Sequence, residues 1–189
     1  MTHDPHPWAM SLTTLHAQVW ALLVRGVNDR RAAARHLTLA TVTPDGLPAA
    51  RTVVLRAANR EAPSLDVHTD VHAGKVKDVC ATPFAAIHVW DASAHLQIRL
   101  AAEVTILTGD DVVAFWARVP EGSRLAYGGS PSTGEPIKDS AAYHKKPDPA
   151  SFVVLRLAIT TMDILHLGPQ HRRAYFERSD NWAGQWVVP

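Results

Sequence analysis

The sequence predicts a mainly β protein: an antiparallel barrel, closed or nearly closed, with helices capping its open ends. Two observations carry this. Short apolar runs that are β-branched or alternate with polar residues recur along most of the chain, and turn-forming residues join them at hairpin scale. Helical spacing, by contrast, is confined to a few segments. Closure follows because an open sheet would leave edge strands that invite aggregation, and a barrel leaves none.

The elements read in order as follows. Ser11 stands where a helix cap belongs, ahead of Leu12, Leu15, Val19, Leu22 and Leu23 at helical spacing, with Trp8 before it as a hydrophobic staple. This predicts a packing helix over about residues 11–25. Residues 36–42 and 49–57 form a hairpin, since Thr43-Pro-Asp-Gly46 has the chemistry to reverse the chain. A strand over 65–69 leads to a helix over 75–81, which Pro83 closes, and then to a strand over 84–90. The segment 95–107 reads as a long strand with Leu96, Ile98 and Leu100 on one face and Gln97 and Arg99 on the other. Asp110 and Asp111 open a helix over 112–118, ended by Pro120, and 123–127 adds one helical turn. Glycine, serine and proline dominate 128–150, which predicts a long loop without a core of its own. Strands over 151–157, 160–167, 172–178 and 185–188 complete the run.

At 189 residues and 47% hydrophobic content, the chain is long enough for one substantial core. Nineteen basic residues against eighteen acidic ones, without a basic run, exclude the electrostatic footprint of a nucleic-acid or anionic-membrane protein. The single cysteine, Cys80, follows Val76 and Val79 and is expected on a packed helix face. The N-terminal residues lack a basic stretch followed by an apolar core, and the longest apolar run, 19–24, is too short to span a bilayer. A soluble, cytoplasmic protein is expected. His68 with His72, and His166 with His171, do not make the three-ligand pattern of a catalytic zinc site, so no metal is expected. Trp8, Trp20 and Trp116 sit among apolar neighbours without interleaved cations and are expected in the core, while Trp182 and Trp186 are expected near the C-terminal strand or a subunit interface.

The chemistry concentrates in two stretches. Arg51-Thr-Val-Val-Leu-Arg56 is a short strand with an arginine at each end, and Val67-His-Thr-Asp-Val-His-Ala-Gly-Lys75 ends a strand and opens a helix. Cations and hydroxyls at strand ends, beside the free amides of a helix start, are suited to hold a phosphate.

Followed by Trp90 with Leu96-Gln-Ile-Arg99, by 115–120 with Ser123, and by His171-Arg-Arg-Ala-Tyr-Phe-Glu-Arg178 closing on Trp186-Val-Val-Pro189, these motifs resemble the pyridoxamine 5′-phosphate oxidase family. The resemblance covers about residues 35 to 189 and includes a divergent, oxidase-related branch. It implies an antiparallel, Greek-key-like split β-barrel with capping α-helices, one domain over 1–189, and a homodimer with FMN at the subunit interface. By the same resemblance, Arg51, Lys75 and Thr69 would hold the FMN phosphate, with Ser132 and Thr133 reaching it from the long loop. Gln97 would meet the flavin ring, and Arg173 would favour its reduced anionic form. The residues implied to face substrate are Arg56 and His171, in catalytic roles, with Phe115 and Ser123 lining the pocket.

The chain departs from the family pattern in several places. Arg56 stands for lysine, His68 for tyrosine, and the family's flavin-contacting tryptophan has no counterpart in Ile164-Leu-His-Leu-Gly168. Phe115 and Val119 replace a tyrosine and an arginine that bind the substrate phosphate, and Pro169 replaces a substrate arginine. The loss of two cations argues against pyridoxamine 5′-phosphate as substrate, since charge-assisted bonds contribute roughly 1.5–3 kcal/mol each. The sequence therefore predicts an FMN-dependent oxidoreductase, with a flavin-binding or redox-sensing module without turnover as the alternative.

Overall fold

The computed structural model describes residues 6–189. The apolar stripe of Leu15, Val19, Trp20 and Leu23 forms the buried side of α1 (Leu12–Asn28), which runs three residues beyond the predicted end. Ser11 holds the extended backbone of a cap, but its side chain bonds nothing there; Thr14 Oγ1 instead donates to the Trp8 carbonyl at 2.8 Å. Trp8 packs partly buried against the main core. At Gly26 an added Cβ would lie 2.7 Å from the Ala34 carbonyl carbon, so only glycine lets α1 sit this close to the chain that enters the barrel.

The hairpin forms from β1 (His36–Val42) and β2 (Pro48–Asn59), reversed by Gly46 at φ 81°. Then follow β3 (Ser64–Asp70), α2 (Gly74–Ala81), β4 (Phe84–Asp91) and β5 (Leu96–Leu107). The short helices α3 (Val113–Arg118) and α4 (Glu121–Arg124) precede the loop 128–150. That loop carries one small strand pair, β6 (Gly129–Ser130) with β7 (His144–Lys145). The chain ends in β8 (Phe152–Leu167), β9 (His171–Glu177) and β10 (Gln185–Val187).

Every pairing is antiparallel, in the order β10-β9-β8-β3-β2-β1-β4-β5, and β5 returns to pair with β8. That last pairing closes β8-β3-β2-β1-β4-β5 into a barrel of six strands among the described residues. Inward residues of alternate positions, including Leu39, Leu55, Leu65, Ile87, Ile98 and Ile164, fill it and are each 0 or 1% exposed. Burial of each such side chain is worth about 1.5–3 kcal/mol. A smaller cluster of Val112, Val119, Tyr127, Phe152 and Val154 lies under α3 and α4.

The structure corrects three expectations. The strands predicted over 151–157 and 160–167 are one strand, β8. Its register against β5 passes from Ala101 opposite Thr161 to Ala102 opposite Ile159, so Thr160 is an extra residue. Such a bulge bends a strand and changes which side chains face inward, and that phase change is what reads as a break in the sequence. Cys80 is exposed rather than packed, because Asp78 takes the inward place on α2, drawn by Arg51 and Thr41. Trp116 is not free of cations: the Arg124 guanidinium lies 5.1 Å from its ring centroid.

Candidate functional site

The first cluster sits where β3 turns into α2. Asp70 is buried and organises this turn: one carboxylate oxygen accepts from the His72 amide at 2.8 Å, the other from the Gly128 amide at 2.9 Å. Thr69 Oγ1 accepts from Lys75 Nζ at 3.0 Å. From β2, Arg51 donates to Thr41 Oγ1, to the Ala49 carbonyl at 3.2 Å and to Asp78 Oδ2 at 3.0 Å, while Thr41 Oγ1 also donates to Asp78 Oδ2 at 2.6 Å. Arg51, Thr69 and Lys75 are thereby brought to one end of the barrel.

Burial pushes the Lys75 ammonium below its ordinary range, and the neighbouring Arg51 lowers it further, against weaker support from Asp70 and Asp78. Among the described residues, Lys75 Nζ has one hydrogen bond, to Thr69. No side chain caps α2, and Lys75 stands in its first turn. Two neighbouring cations and a hydroxyl beside a helix start are a donor set of the kind that suits a phosphate dianion.

A second cluster lies on the opposite face of β2 and β3, because successive strand residues alternate. Arg35, Arg56, His68, Phe115, Arg118 and Ser123 line a cavity of about 280 Å³ there. His68 meets Phe152 edge-on at 4.9 Å between centroids. Burial, reinforced by Arg56 and opposed by Asp66, drops the His68 imidazole to about 4, so it is neutral at pH 7. Burial raises the Tyr127 phenol against the pull of Arg56 beside it. Of the residues expected to face substrate, the structure gathers Arg56, Phe115 and Ser123 here. It does not bring His171 to them: His171 begins β9 and lines a separate recess with Met10 and Trp186.

The depressed His68 value makes a prediction about stability. Between its unfolded value of 6.5 and its folded value of about 4, the unfolded chain binds a proton that the folded chain does not. Stability is therefore lost as pH falls through that window, by about 2 kcal/mol once the partial exposure of the ring is allowed for. Urea unfolding of wild type and His68→Phe at pH 7 and pH 4.5 checks this; equal pH dependence of the two proteins refutes it.

A third set lies on the outside of the sheet. Trp90, Gln97, Leu165 and Arg173 are successive cross-strand partners on β4, β5, β8 and β9. Arg173 grips Asp163 with two bonds of 2.9 and 2.8 Å, and Arg99 joins the same carboxylate. Hydrogen bonding from Arg173, helped by the Arg99 charge, holds the Asp163 carboxyl below its usual range. Beside this triad runs a groove of about 470 Å³ whose lining includes Ala40, Ala86, His88, Arg99, Asp163 and Tyr175. Ser132 and Thr133 line another recess, inside the loop 128–150, with Tyr143 and Lys145.

Sequence reasoning did not single out Asp78, Asp163, Arg35 or Arg118. The first two are carboxylate partners of predicted cations, and only the strand register brings them together. Arg118 had a local signal, its place next to Val119 at the end of a helix. Among the described residues, no group of three or more His, Cys, Asp or Glu is placed to hold a metal, and no helix is long and apolar enough to cross a membrane.

A closed six-strand antiparallel barrel with a few helices is the architecture of the FMN-binding split barrels. The chain belongs to the pyridoxamine 5′-phosphate oxidase family: the family model described as pyridoxamine 5′-phosphate oxidase, FMN-binding domain, matches residues 6–108. FMN is the cofactor this implies. A pyridoxine/pyridoxamine 5′-phosphate oxidase of Mycolicibacterium paratuberculosis is 32% identical over 126 residues, covering 65% of this chain and 56% of that protein. The namesake from Cupriavidus pinatubonensis is 30% identical over 166 residues, covering 80% of this chain and 76% of its own. The chain thus spans between about half and three quarters of these two relatives. Among solved structures, a pyridoxamine 5′-phosphate oxidase-related, FMN-binding protein from Nostoc punctiforme aligns over 100% of both chains with a TM-score of 0.77 and 29% identity. PhzG from Burkholderia lata, solved with tetrahydrophenazine-1-carboxylic acid, covers 100% of this chain and 98% of its own, with a TM-score of 0.73 and 20% identity, and shares the fold.

Proposed function

We propose that this chain is an FMN-dependent oxidoreductase that works as a homodimer, with residues 1–189 forming one flavin-binding unit. The bond of Lys75 to Thr69, with Arg51 close enough to add to the burial that holds Lys75 below its ordinary range, is the observation that carries the reading. Bound FMN supplies two-electron chemistry at its ring; the protein supplies position and charge. Arg51, Thr69 and Lys75 bind the phosphate. Gln97 presents an amide that donates and accepts, suited to the ring's pyrimidine edge, and Arg173 presents a cation already oriented by Asp163. Arg56 and His68, with Phe115 and Ser123, form the substrate side.

Two copies are part of this proposal because one chain separates its parts. The phosphate cradle is at a barrel end, while Gln97 and Arg173 are on the outer face beside an alanine-floored groove. A partner seated on that face would bring Ser132, Thr133 and His171 of one subunit to the flavin of the other.

The test is a flavin titration of purified protein, followed by fluorescence, with sedimentation of the same samples. Wild type is expected to bind one FMN per chain as a dimer. Lys75→Met is expected to weaken binding by 10- to 100-fold, the loss of one charge-assisted contact of about 1.5–3 kcal/mol. Wild type that takes up no FMN would end the proposal. Retained flavin that no amine, NADH or NADPH reduces with turnover in air would favour a binding module.

A further inference from the structure

We propose that the recess where the start of α1 meets the turn between β2 and β3 and the turn after β9 is a second ligand site, apart from the flavin, and that it takes a small aromatic carboxylate. The recess has a volume of about 350 Å³ and is lined by Thr13, His16 and Trp20 of α1, by Arg60, and by Asn181 and Trp182 after β9. It lies at the turn end of the β2 and β3 hairpin, away from the end that carries Arg51 and Thr69.

The polar groups of the recess are donors looking for an acceptor. No acidic residue lines it among the described residues. Arg60 is exposed, and among the described residues it takes part in no ion pair. Its turn is fixed, because Asn59 Oδ1 accepts from the amides of Glu61 at 2.9 Å and Ala62 at 3.1 Å. Burial lowers the His16 imidazole, and the Arg60 charge lowers it further, so His16 is neutral at pH 7. Its Nε2 accepts from the Trp20 indole at 3.3 Å, which leaves the proton on Nδ1. No described residue accepts that proton, and the atom is open to solvent, since no buried side-chain nitrogen or oxygen lacks a partner among the described residues. A guanidinium fork beside an imidazole N–H and the Thr13 hydroxyl suits a carboxylate.

The rest of the lining sets what the carboxylate is attached to. Asn181 and Trp182 are consecutive non-glycine residues at φ 55° and 63°. That left-handed backbone is unfavourable for a side chain as bulky as tryptophan. It is held by the two amides, which donate to the carbonyls of Arg178 at 3.2 Å and Glu177 at 3.0 Å, and by the packing of Trp182 against the main core. The outcome is an indole lying along the His16 ring, with centroids 5.9 Å apart and planes 26° from parallel, while His16 also meets Phe176 at 5.2 Å. Backbone kept in so sparsely populated a region points to a demand on where that indole stands. With Trp20 and Pro63 it gives the recess an aromatic and apolar wall, and the volume admits a compound of one or two rings.

The experiment is calorimetric titration of the purified protein, as isolated, with naphthoate and with its uncharged counterpart naphthamide, the absorption of bound FMN being recorded on the same samples. Wild type is expected to bind naphthoate about tenfold or more tightly than naphthamide, without a change in the flavin spectrum. Arg60→Gln is expected to weaken naphthoate binding about tenfold, and Arg60→Lys to recover part of it, since a point charge lacks the planar fork. Trp182→Leu is expected to lose about as much by removing the aromatic wall; the exposed Arg60 carries the test if that variant does not fold. Arg30→Gln, an exposed arginine outside the recess, controls for net charge and is expected to bind as wild type. Wild type that does not prefer naphthoate overturns the proposal. So does Arg60→Gln that binds like wild type, above all if naphthoate then shifts the flavin spectrum and so sits beside the flavin. Protein that takes up no FMN but binds naphthoate through Arg60 would remove the flavin reading and leave this site standing.

Discussion

Arg51→Met is expected to abolish flavin retention and to cost about 3 kcal/mol of stability, and the two effects are separable. Arg51 has two roles in the proposed site: it stands close enough to Lys75 to lower it, and it neutralises Asp78, whose side chain is only 6% exposed. Removing the arginine leaves a buried carboxylate with Thr41 as its side-chain donor. Breaking one side of a buried pair is expensive because the survivor stays charged away from water, and here the 25% exposure of Arg51 places the cost toward the lower end of the usual range. The double variant Arg51→Met/Asp78→Asn removes the stranded charge as well and is expected to recover most of the stability. It is not expected to recover FMN, because the proposed phosphate site still lacks one of its two cations. Urea unfolding and flavin titration of the wild type, both single variants and the double variant form the cycle. A double variant that binds FMN like wild type would show that Arg51 serves only to hold α2 in place.

What the sequence made legible was local. Leu96, Ile98 and Leu100 alternate because one face of β5 lines the barrel, and Leu15, Val19 and Leu23 recur at helical spacing because one stripe of α1 covers it. The proposed phosphate site was legible for the same reason: Thr69 and Lys75 flank a single turn, and Arg51 stands in a strand. Its counter-charge was not, since Asp78 enters through the packing of α2 against β1 and β2. Asp163 meets Arg173 only through the pairing of β8 with β9, and Arg99 only through the pairing of β8 with β5. The cavity shows the limit most clearly. Position-by-position comparison counts an arginine as lost at Val119, although Arg118 and the distant Arg35 put their charges into the same space. Spacing along the chain carries the period of an element, whereas a charge cluster is a property of the folded surface.

Gly128→Ala is expected to be the most damaging single change in the loop 128–150, at about 3 kcal/mol. Gly128 has φ +98°, a region where an L side chain costs roughly 1–2 kcal/mol. Its surroundings add a second penalty: a Cβ there would lie 2.5 Å from the Asp148 Cβ and 2.6 Å from the Lys146 carbonyl oxygen, and backbone cannot yield as a flexible side chain does. The same residue ties the loop to the cradle, because its amide donates to Asp70, the carboxylate that organises the turn before Lys75. Shifting Gly128 to relieve the clash therefore pulls on the phosphate site, and FMN affinity is expected to fall together with stability. Gly134→Ala is the matched control: its φ is +92°, but nothing lies within 4 Å of the added carbon, so only the conformational cost of about 1 kcal/mol applies. Urea unfolding and flavin titration of the two variants separate packing from backbone strain. Equal losses in both would mean that the approach of residues 146–148 to Gly128 contributes nothing, and that the loop is not anchored at Asp70.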